Sequence, residues 1–174
     1  MRKPDSALRK ELTDLLPHVR RYAYSLTGSR ADADDLLQAT VERLLRRGAP
    51  ADADLRKWSY RVCKNLWIDE IRARRVRTDA VSEGKIDIVD RIDGERAVLG
   101  AISLAEVNRA MDALPDDQRA ALALVAVEGL SYAEAAEALE IPIGTIMSRI
   151  SRARAALAQF FASPDAESAE GARP

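Results

Sequence analysis

Residues 131–161 read SYAEAAEALEIPIGTIMSRISRARAALAQFF, and this stretch decides the fold of its half of the chain. Ser131 can cap a helix and Glu134 follows three residues later, which together make a capping box. The Ile-Pro pair ending at Pro142 stops that helix, because proline disfavours the helical region for the residue before it. A longer helix then begins, with Thr145 as a second cap. A short helix, a break and a long helix predict a helix-turn-helix.

The second helix of this motif is basic. Residues 144–161 contain three arginines and no acidic residue. Polar and basic side chains begin in its first turn, where a recognition helix meets the edges of DNA bases, and this favours DNA binding. The alternative is an ordinary pair of antiparallel helices whose arginines face solvent. In both cases one apolar stripe faces the core, formed by Ile146, Ile150, Ala153 and Leu157.

The composition predicts an all-helical protein. Of 174 residues, 47% are hydrophobic, 32% are charged and only 5% are aromatic, while alanine and leucine abound. With one cysteine and one histidine, the chain can form neither an internal disulfide nor a Cys/His metal site. It contains no apolar run near the ~20 residues of a membrane span and no apolar signal segment. We therefore expect a cytoplasmic protein without membrane insertion.

The charges are unevenly distributed, although the formal net charge is only −1. Residues 55–77 carry eight basic and two acidic side chains, and residues 79–95 carry six acidic and two basic ones. Two basic blocks with an acidic block between them indicate two modules that face nucleic acid. We predict an all-α fold of two small helical domains, residues 1–78 and 101–162, joined by a flexible acidic linker at 79–100 and followed by a polar tail at 163–174.

Two local patterns give further expectations for the first domain. Pro17 predicts that one helix ends near Leu16 and that another begins at the proline. In the helix over residues 54–76, one stripe is expected to be core. Aromatic side chains outside that stripe could stack on exposed bases, and Trp67 is expected either there or in the core. The predicted stripe is Leu55, Trp58, Val62 and Leu66, and the other faces carry Tyr60, Lys64, Trp67, Arg61 and Arg74.

No feature of the sequence indicates an enzyme. There is no nucleotide-phosphate loop, no nucleophile elbow and no histidine-based catalytic set. We therefore expect neither catalysis nor a cofactor.

Three segments in order resemble the sigma-70 family of transcription initiation factors, in its small two-domain extracytoplasmic-function group. The helix that binds the polymerase clamp in this family is similar to the stretch DADDLLQATVERLL. LRKWSYRVCKNLWIDEIRARR is similar to the helix that melts and reads the −10 element, and LPDDQRAALALVAVEGLSYAEAAEALEIPIGTIMSRISRARAAL to the −35-reading domain. The resemblance covers about residues 12–161. It implies core RNA polymerase, promoter DNA and an anti-sigma factor as partners, and a monomer when free.

The resemblance also assigns residues by position. Polymerase contacts fall on Asp35, Leu36 and Gln38. The loop of residues 47–54, with Asn65 and Asp69, falls where the family handles the flipped −10 base. The −10 set as a whole is Arg61, Lys64, Asn65, Asp69, Arg72 and Arg74, and the −35 set is Thr145, Ser148, Arg149, Ser151 and Arg152.

Two other functions remain open at the level of sequence. A stand-alone helix-turn-helix regulator would bind operators as a symmetric dimer without polymerase, but it leaves the basic block at residues 55–77 unexplained. A sigma-like decoy that binds only an anti-sigma factor would be expected to lose the basic faces, which are present here. The chain departs from the family at Met147, where Lys or Arg is common, at Glu140, where glycine is common, and at Val41, where Phe is common.

Overall fold

The computed structural model describes residues 6–81 and 103–162, and all regular structure in these two ranges is helical. The prediction of an all-α protein is therefore confirmed. Helices α1 to α3 form an N-terminal unit and α4 to α7 a C-terminal unit. Their bounds are α1 Ser6–Thr27, α2 Arg30–Arg47, α3 Leu55–Val81, α4 Leu104–Asp112, α5 Asp116–Ala126, α6 Tyr132–Leu139 and α7 Ile143–Ala162.

The first helix runs through its proline, so the predicted break at Pro17 is wrong. Proline cannot donate the usual backbone hydrogen bond, here to the carbonyl of Thr13. Pro17 and Thr13 both lie on the exposed side of α1, where water can satisfy that carbonyl. The opposite side, with Leu12 and Val19 on either side of the proline, is buried. Packing along one continuous stripe therefore keeps α1 in one piece.

The third helix buries Leu55 of the predicted stripe and also residues outside that stripe. Tyr60, which we expected on another face, is 0% exposed. Trp67, for which the core was one of two expected places, is 6% exposed, and Cys63 between them is also buried. Trp58, expected in the core, is only partly buried. The reason is that α3 contacts α1 and α2 on one side and α6 on another, so more than one stripe is covered.

The C-terminal unit contains the predicted helix-turn-helix. Ser131 and Glu134 form the predicted capping box, and Ser103 with Glu106 forms a second one at the start of α4. Ile146, Ile150 and Ala153 of α7 are buried, as their spacing predicts. Each box pairs two backbone donors that a helix start would otherwise leave without partners.

The turn between α6 and α7 is built differently from our expectation. Thr145 lies inside the first turn of α7, where its N–H donates to the carbonyl of Pro142 at 2.9 Å, so it does not cap that helix. Glu140 adopts the left-handed conformation, with φ 54° and ψ 47°, and its N–H donates to the carbonyls of Ala136 and Glu137. Glycine usually occupies such a position because it has no Cβ to clash.

The two units pack against each other. The Tyr22 ring of α1 meets the Tyr60 ring of α3 edge-on at 5.2 Å, and its hydroxyl donates to the carbonyl of Ala120 in α5 at 3.5 Å. One apolar cluster includes buried side chains of both units. Helix α3 extends to Val81, past the predicted domain boundary at residue 78. The rest of the predicted linker and the tail at 163–174 lie outside the described residues.

The left-handed residue gives a prediction about stability. We expect Glu140→Gly to be more stable than Glu140→Ala by about 1 kcal/mol, because both changes remove the side chain but only glycine relieves the backbone conformation. Urea unfolding of the two variants measures the difference. A Glu140→Ala protein as stable as Glu140→Gly would show that this conformation carries no strain.

Candidate nucleic-acid interface

The five residues predicted to read the −35 element all lie on α7, but they differ in exposure. Ser151 and Arg152 are exposed, while Thr145, Ser148 and Arg149 are half-buried. The Ser148 hydroxyl donates to the carbonyl of Thr145 at 3.0 Å. Because the buried side of α7 packs within the C-terminal unit, these polar side chains are held on a rigid helix facing away from its core.

Arg149 already forms an ion pair within the C-terminal unit. Arg149 Nε lies 2.9 Å from Asp117 Oδ2 at the start of α5, and its side chain is 25% exposed. Arg152, three residues on, is exposed and lies on the same side of the helix. Met147, which replaces the common basic residue, is 53% exposed and adds an apolar group to this surface.

The basic helix α3 divides its predicted residues between two environments. Arg61 and Lys64 are half-buried, where α3 faces the C-terminal unit. The pKa of Lys64 is lowered, chiefly because the side chain is partly buried. Repulsion from the guanidinium groups of Arg149, Arg61 and Arg72 lowers it further. A phosphate group bound beside Lys64 would relieve this repulsion. The remaining four, Asn65, Asp69, Arg72 and Arg74, are exposed.

A cavity of about 170 Å³ lies beside α3 and includes both residues predicted to handle a flipped base. Asn65 and Asp69 line it from α3, and Gly48 lines it from the predicted loop. Trp58 forms part of the wall, with the guanidinium of Arg61 5.1 Å from the centre of its ring. An amide, a carboxylate and an aromatic ring around one cavity are the groups that can hydrogen-bond and stack with a base. The full lining is Arg43, Leu44, Arg47, Gly48, Trp58, Arg61, Val62, Asn65, Leu66 and Asp69.

The three residues predicted to contact polymerase separate on α2. Asp35 and Gln38 are exposed, whereas Leu36 is only 8% exposed and belongs to the core. Asp35 and Leu36 also line a larger groove of about 730 Å³ between α2, α3 and the C-terminal unit. Helix α2 therefore offers Asp35 and Gln38, but not Leu36, to a partner.

Sequence patterns did not reveal Glu128, in the segment between α5 and α6. Its side chain has no exposed surface, and Arg21 and Tyr60 donate to it. These partners are far apart in the sequence, and no local motif connects them. Burial raises the pKa of Tyr60 well above its ordinary value, so this phenol stays protonated and remains a donor.

The described residues give no indication of a metal centre, since no group of three or more His, Cys, Asp or Glu side chains in them could hold an ion. Within the same ranges, none of the helices is long and apolar enough to cross a membrane.

Two family models match the chain, one for each unit. The model described as "Sigma-70 region 2" matches residues 12–77, which are most of α1 to α3. The model described as "Sigma-70, region 4" matches residues 104–157, which are α4 to most of α7.

Individual proteins are similar to the chain over most of its length. The ECF RNA polymerase sigma factor EcfG of Rhodopseudomonas palustris is 34% identical over 153 residues, which are 87% of this chain and 83% of that protein. The ECF RNA polymerase sigma factor SigE of Mycolicibacterium smegmatis is 35% identical over 165 residues, 88% of this chain. The match spans 61% of SigE, so this relative is considerably longer than the region that the two proteins share.

A solved structure has the same arrangement of helices. The sigma factor RpoE of Bartonella quintana, crystallised with the anti-sigma factor NepR, superposes with a TM-score of 0.75 and 28% sequence identity. The superposition covers 92% of this chain and all of that one.

Proposed function

Since the chain belongs to the sigma-70 family of RNA polymerase sigma factors, in the extracytoplasmic-function group, we propose that it directs core RNA polymerase to promoters by reading two DNA elements and helping to melt one of them. The observation that carries this proposal is the presence of two basic helices, α3 and α7, in two separately matched units. Each helix has its own means of recognition, a cavity beside α3 and an exposed polar face on α7.

The C-terminal unit is the proposed reader of double-stranded DNA at the −35 element. A helix-turn-helix places its second helix in the major groove, where arginine can bond to two acceptors of guanine. Arg149 and Arg152 are the residues of α7 suited to that contact. Thr145, Ser148 and Ser151 offer shorter polar groups on the same helix.

The N-terminal unit is the proposed reader of the −10 element in its melted form. Unstacking a base costs a few kcal/mol, so a protein that opens DNA must offset this cost with contacts to the extruded base. The cavity beside α3 supplies the amide of Asn65, the carboxylate of Asp69 and the ring of Trp58. The cations of the same helix would hold the backbone of the separated strand.

Partners and location follow from the same proposal. We expect core polymerase to bind α2, and an anti-sigma factor to regulate the chain, as the structure of RpoE with NepR illustrates for a similar protein. The chain would act as a monomer in the cytoplasm, where polymerase and chromosomal DNA are found. It would itself catalyse nothing and need no cofactor, because RNA synthesis belongs to the polymerase.

The polymerase contact gives a prediction. Asp35→Arg or Gln38→Ala is expected to weaken binding to core polymerase by ~1–3 kcal/mol, the range of an interface hot spot, because both side chains are exposed on α2. Titration of labelled protein with core polymerase measures this. Glu11→Arg, an exposed carboxylate on α1, makes the same charge change elsewhere and is expected to bind normally. Normal binding by both α2 variants would remove this helix from the interface.

Selection from a pool of random DNA duplexes distinguishes the proposed function from a stand-alone regulator and from a decoy. The chain is mixed with core polymerase or used alone, and the retained DNA is sequenced. A sigma factor enriches two sequence blocks at fixed spacing only when polymerase is present. Enrichment of one palindromic site by the chain alone would identify a regulator, and no enrichment in either arm would identify a decoy.

A further inference from the structure

Helix α7 carries an exposed apolar edge, formed by Ile143 and Met147. These side chains are 49% and 53% exposed, although both are large and apolar. They lie four residues apart at the start of the helix, so they are neighbours on one side of it. Single exposed apolar side chains are ordinary on protein surfaces. Here two of them adjoin each other on the helix that the proposed function places in a DNA groove.

The apolar edge and a cationic edge, formed by Arg149 and Arg152, border the same exposed face of α7. Successive residues of an α-helix are turned by about 100°, so Met147 and Arg149 point about 200° apart. Arg149 is held at its edge by the ion pair with Asp117, at 2.9 Å. Two edges of different chemistry allow one helix to contact different groups within one groove.

Small residues lie between the two edges. Gly144 and Ser151 are exposed, and Ser148 is half-buried. The backbone of Gly144 is helical, and a Cβ at this position would meet no atom from elsewhere in the described structure within 4 Å. Glycine is less favourable than alanine in a helix, so packing does not explain its presence here. The low surface that these residues form would let the edges of bases approach α7 closely.

The major groove presents one apolar group that fits the apolar edge. The 5-methyl group of thymine projects into this groove, whereas the other groups that distinguish the base pairs there are hydrogen-bond donors and acceptors. In a helix-turn-helix, residues near the start of the second helix contact base edges, and Met147 is the fifth residue of α7. An unbranched thioether side chain has three rotatable bonds, so it can adjust its shape to a methyl group.

We propose that Met147 is a specificity-determining residue that recognises the 5-methyl group of one thymine in the −35 element, with Ile143 extending the apolar surface one turn earlier. This inference rests on the proposed function, because it assigns one contact of the proposed −35 reader. The two edges then divide the reading: the arginines bond to guanine, and Met147 packs on thymine. The −35 block is therefore expected to contain at least one thymine, on either strand.

Replacement of thymine by uracil tests this contact, because deoxyuridine pairs in the same way and lacks only the methyl group. Each thymine of the −35 block enriched from the random DNA pool is replaced in turn, on both strands. Competition with the unmodified template measures how tightly core polymerase with this chain binds each product. One replacement is expected to weaken binding by about fourfold, the effect of removing one buried methyl group.

Three variants establish whether Met147 makes this contact. Met147→Gln keeps the length and helix preference of the side chain but makes its end polar, so it is expected to bind the thymine and uracil templates equally. Met147→Leu stays apolar and is expected to retain the uracil effect. Leu104→Gln is the matched control, since Leu104 is 60% exposed on α4, and it is also expected to retain the effect. Because both positions are exposed, each variant is expected to fold, and circular dichroism verifies this.

Several results would overturn the proposal. One is an enriched −35 block that contains no thymine, or in which no uracil replacement weakens binding. Another is a uracil effect that persists in Met147→Gln, or that disappears in Leu104→Gln as well. Weaker assembly of Met147→Gln with core polymerase, with the uracil effect unchanged, would assign the apolar edge to a polymerase contact instead.

Failure of the proposed function gives a different result. In that case no sequence block is enriched when polymerase is present, and the thymine contact is overturned together with the function. An enriched block that directs transcription, but shows no uracil effect, removes only the contact assigned to Met147.

Discussion

Replacing both Arg149 and Arg152 by alanine is expected to reduce transcription from a promoter with its cognate −35 element by about a hundredfold or more. Each arginine can make a bidentate contact to guanine, which is worth ~1–3 kcal/mol of discrimination. The two side chains are three residues apart on α7 and therefore face the same groove. Run-off transcription from intact and −35-scrambled templates measures the loss.

The competing possibility is that these arginines only clamp phosphates. In that case the loss would be the same on both templates, and the dependence of binding on salt would become less steep. Arg154→Ala is the matched control, because Arg154 is an exposed arginine of the same helix outside the predicted set. Equal fractional losses on the two templates would remove base reading from Arg149 and Arg152.

Asn65→Ala is expected to have the opposite pattern, with closed-complex binding retained and melting reduced by about tenfold. Loss of a hydrogen bond of about 1.4 kcal/mol gives a change of this size. The amide of Asn65 lines the cavity beside α3, which becomes useful only when a base leaves the stack. Permanganate reactivity of melted thymines measures opening, and a gel-shift assay at low temperature measures closed binding.

Arg77→Ala is the comparison variant for melting. Arg77 is exposed on the same helix, about three turns from Asn65 and outside the cavity. Its loss is expected to affect binding through salt-dependent contacts and to leave the melted fraction of bound complexes unchanged. If Asn65→Ala melts the start site as well as the parent, the cavity has no part in holding the base.

Local signals were sufficient to predict much of the C-terminal unit. The capping box of Ser131 and Glu134 lies within four residues, and the stripe of Ile146, Ile150 and Ala153 within eight. Such patterns depend on neighbours along the chain and can be recognised without knowing the tertiary fold. The exposure of Arg152 on the opposite face follows from the same helical period.

Residues whose environment depends on distant segments were harder to predict. Tyr60 and Trp67 are buried because other helices cover α3 on more than one side. A prediction based on one apolar stripe does not include the second covered side. Pro17 stays helical because packing outweighs its missing hydrogen bond. The partners of Glu128 lie 68 to 110 residues away in the sequence, so its burial could not be read from any local pattern.

Transcription with purified core polymerase, with and without this chain, tests the central claim most directly. The template carries a sequence enriched from the random DNA pool, and a matched template has both of its blocks scrambled. A sigma factor is expected to produce one run-off transcript of defined length from the enriched template, which requires both polymerase and the chain and disappears on the scrambled one. The same transcripts with and without the chain would contradict the assignment.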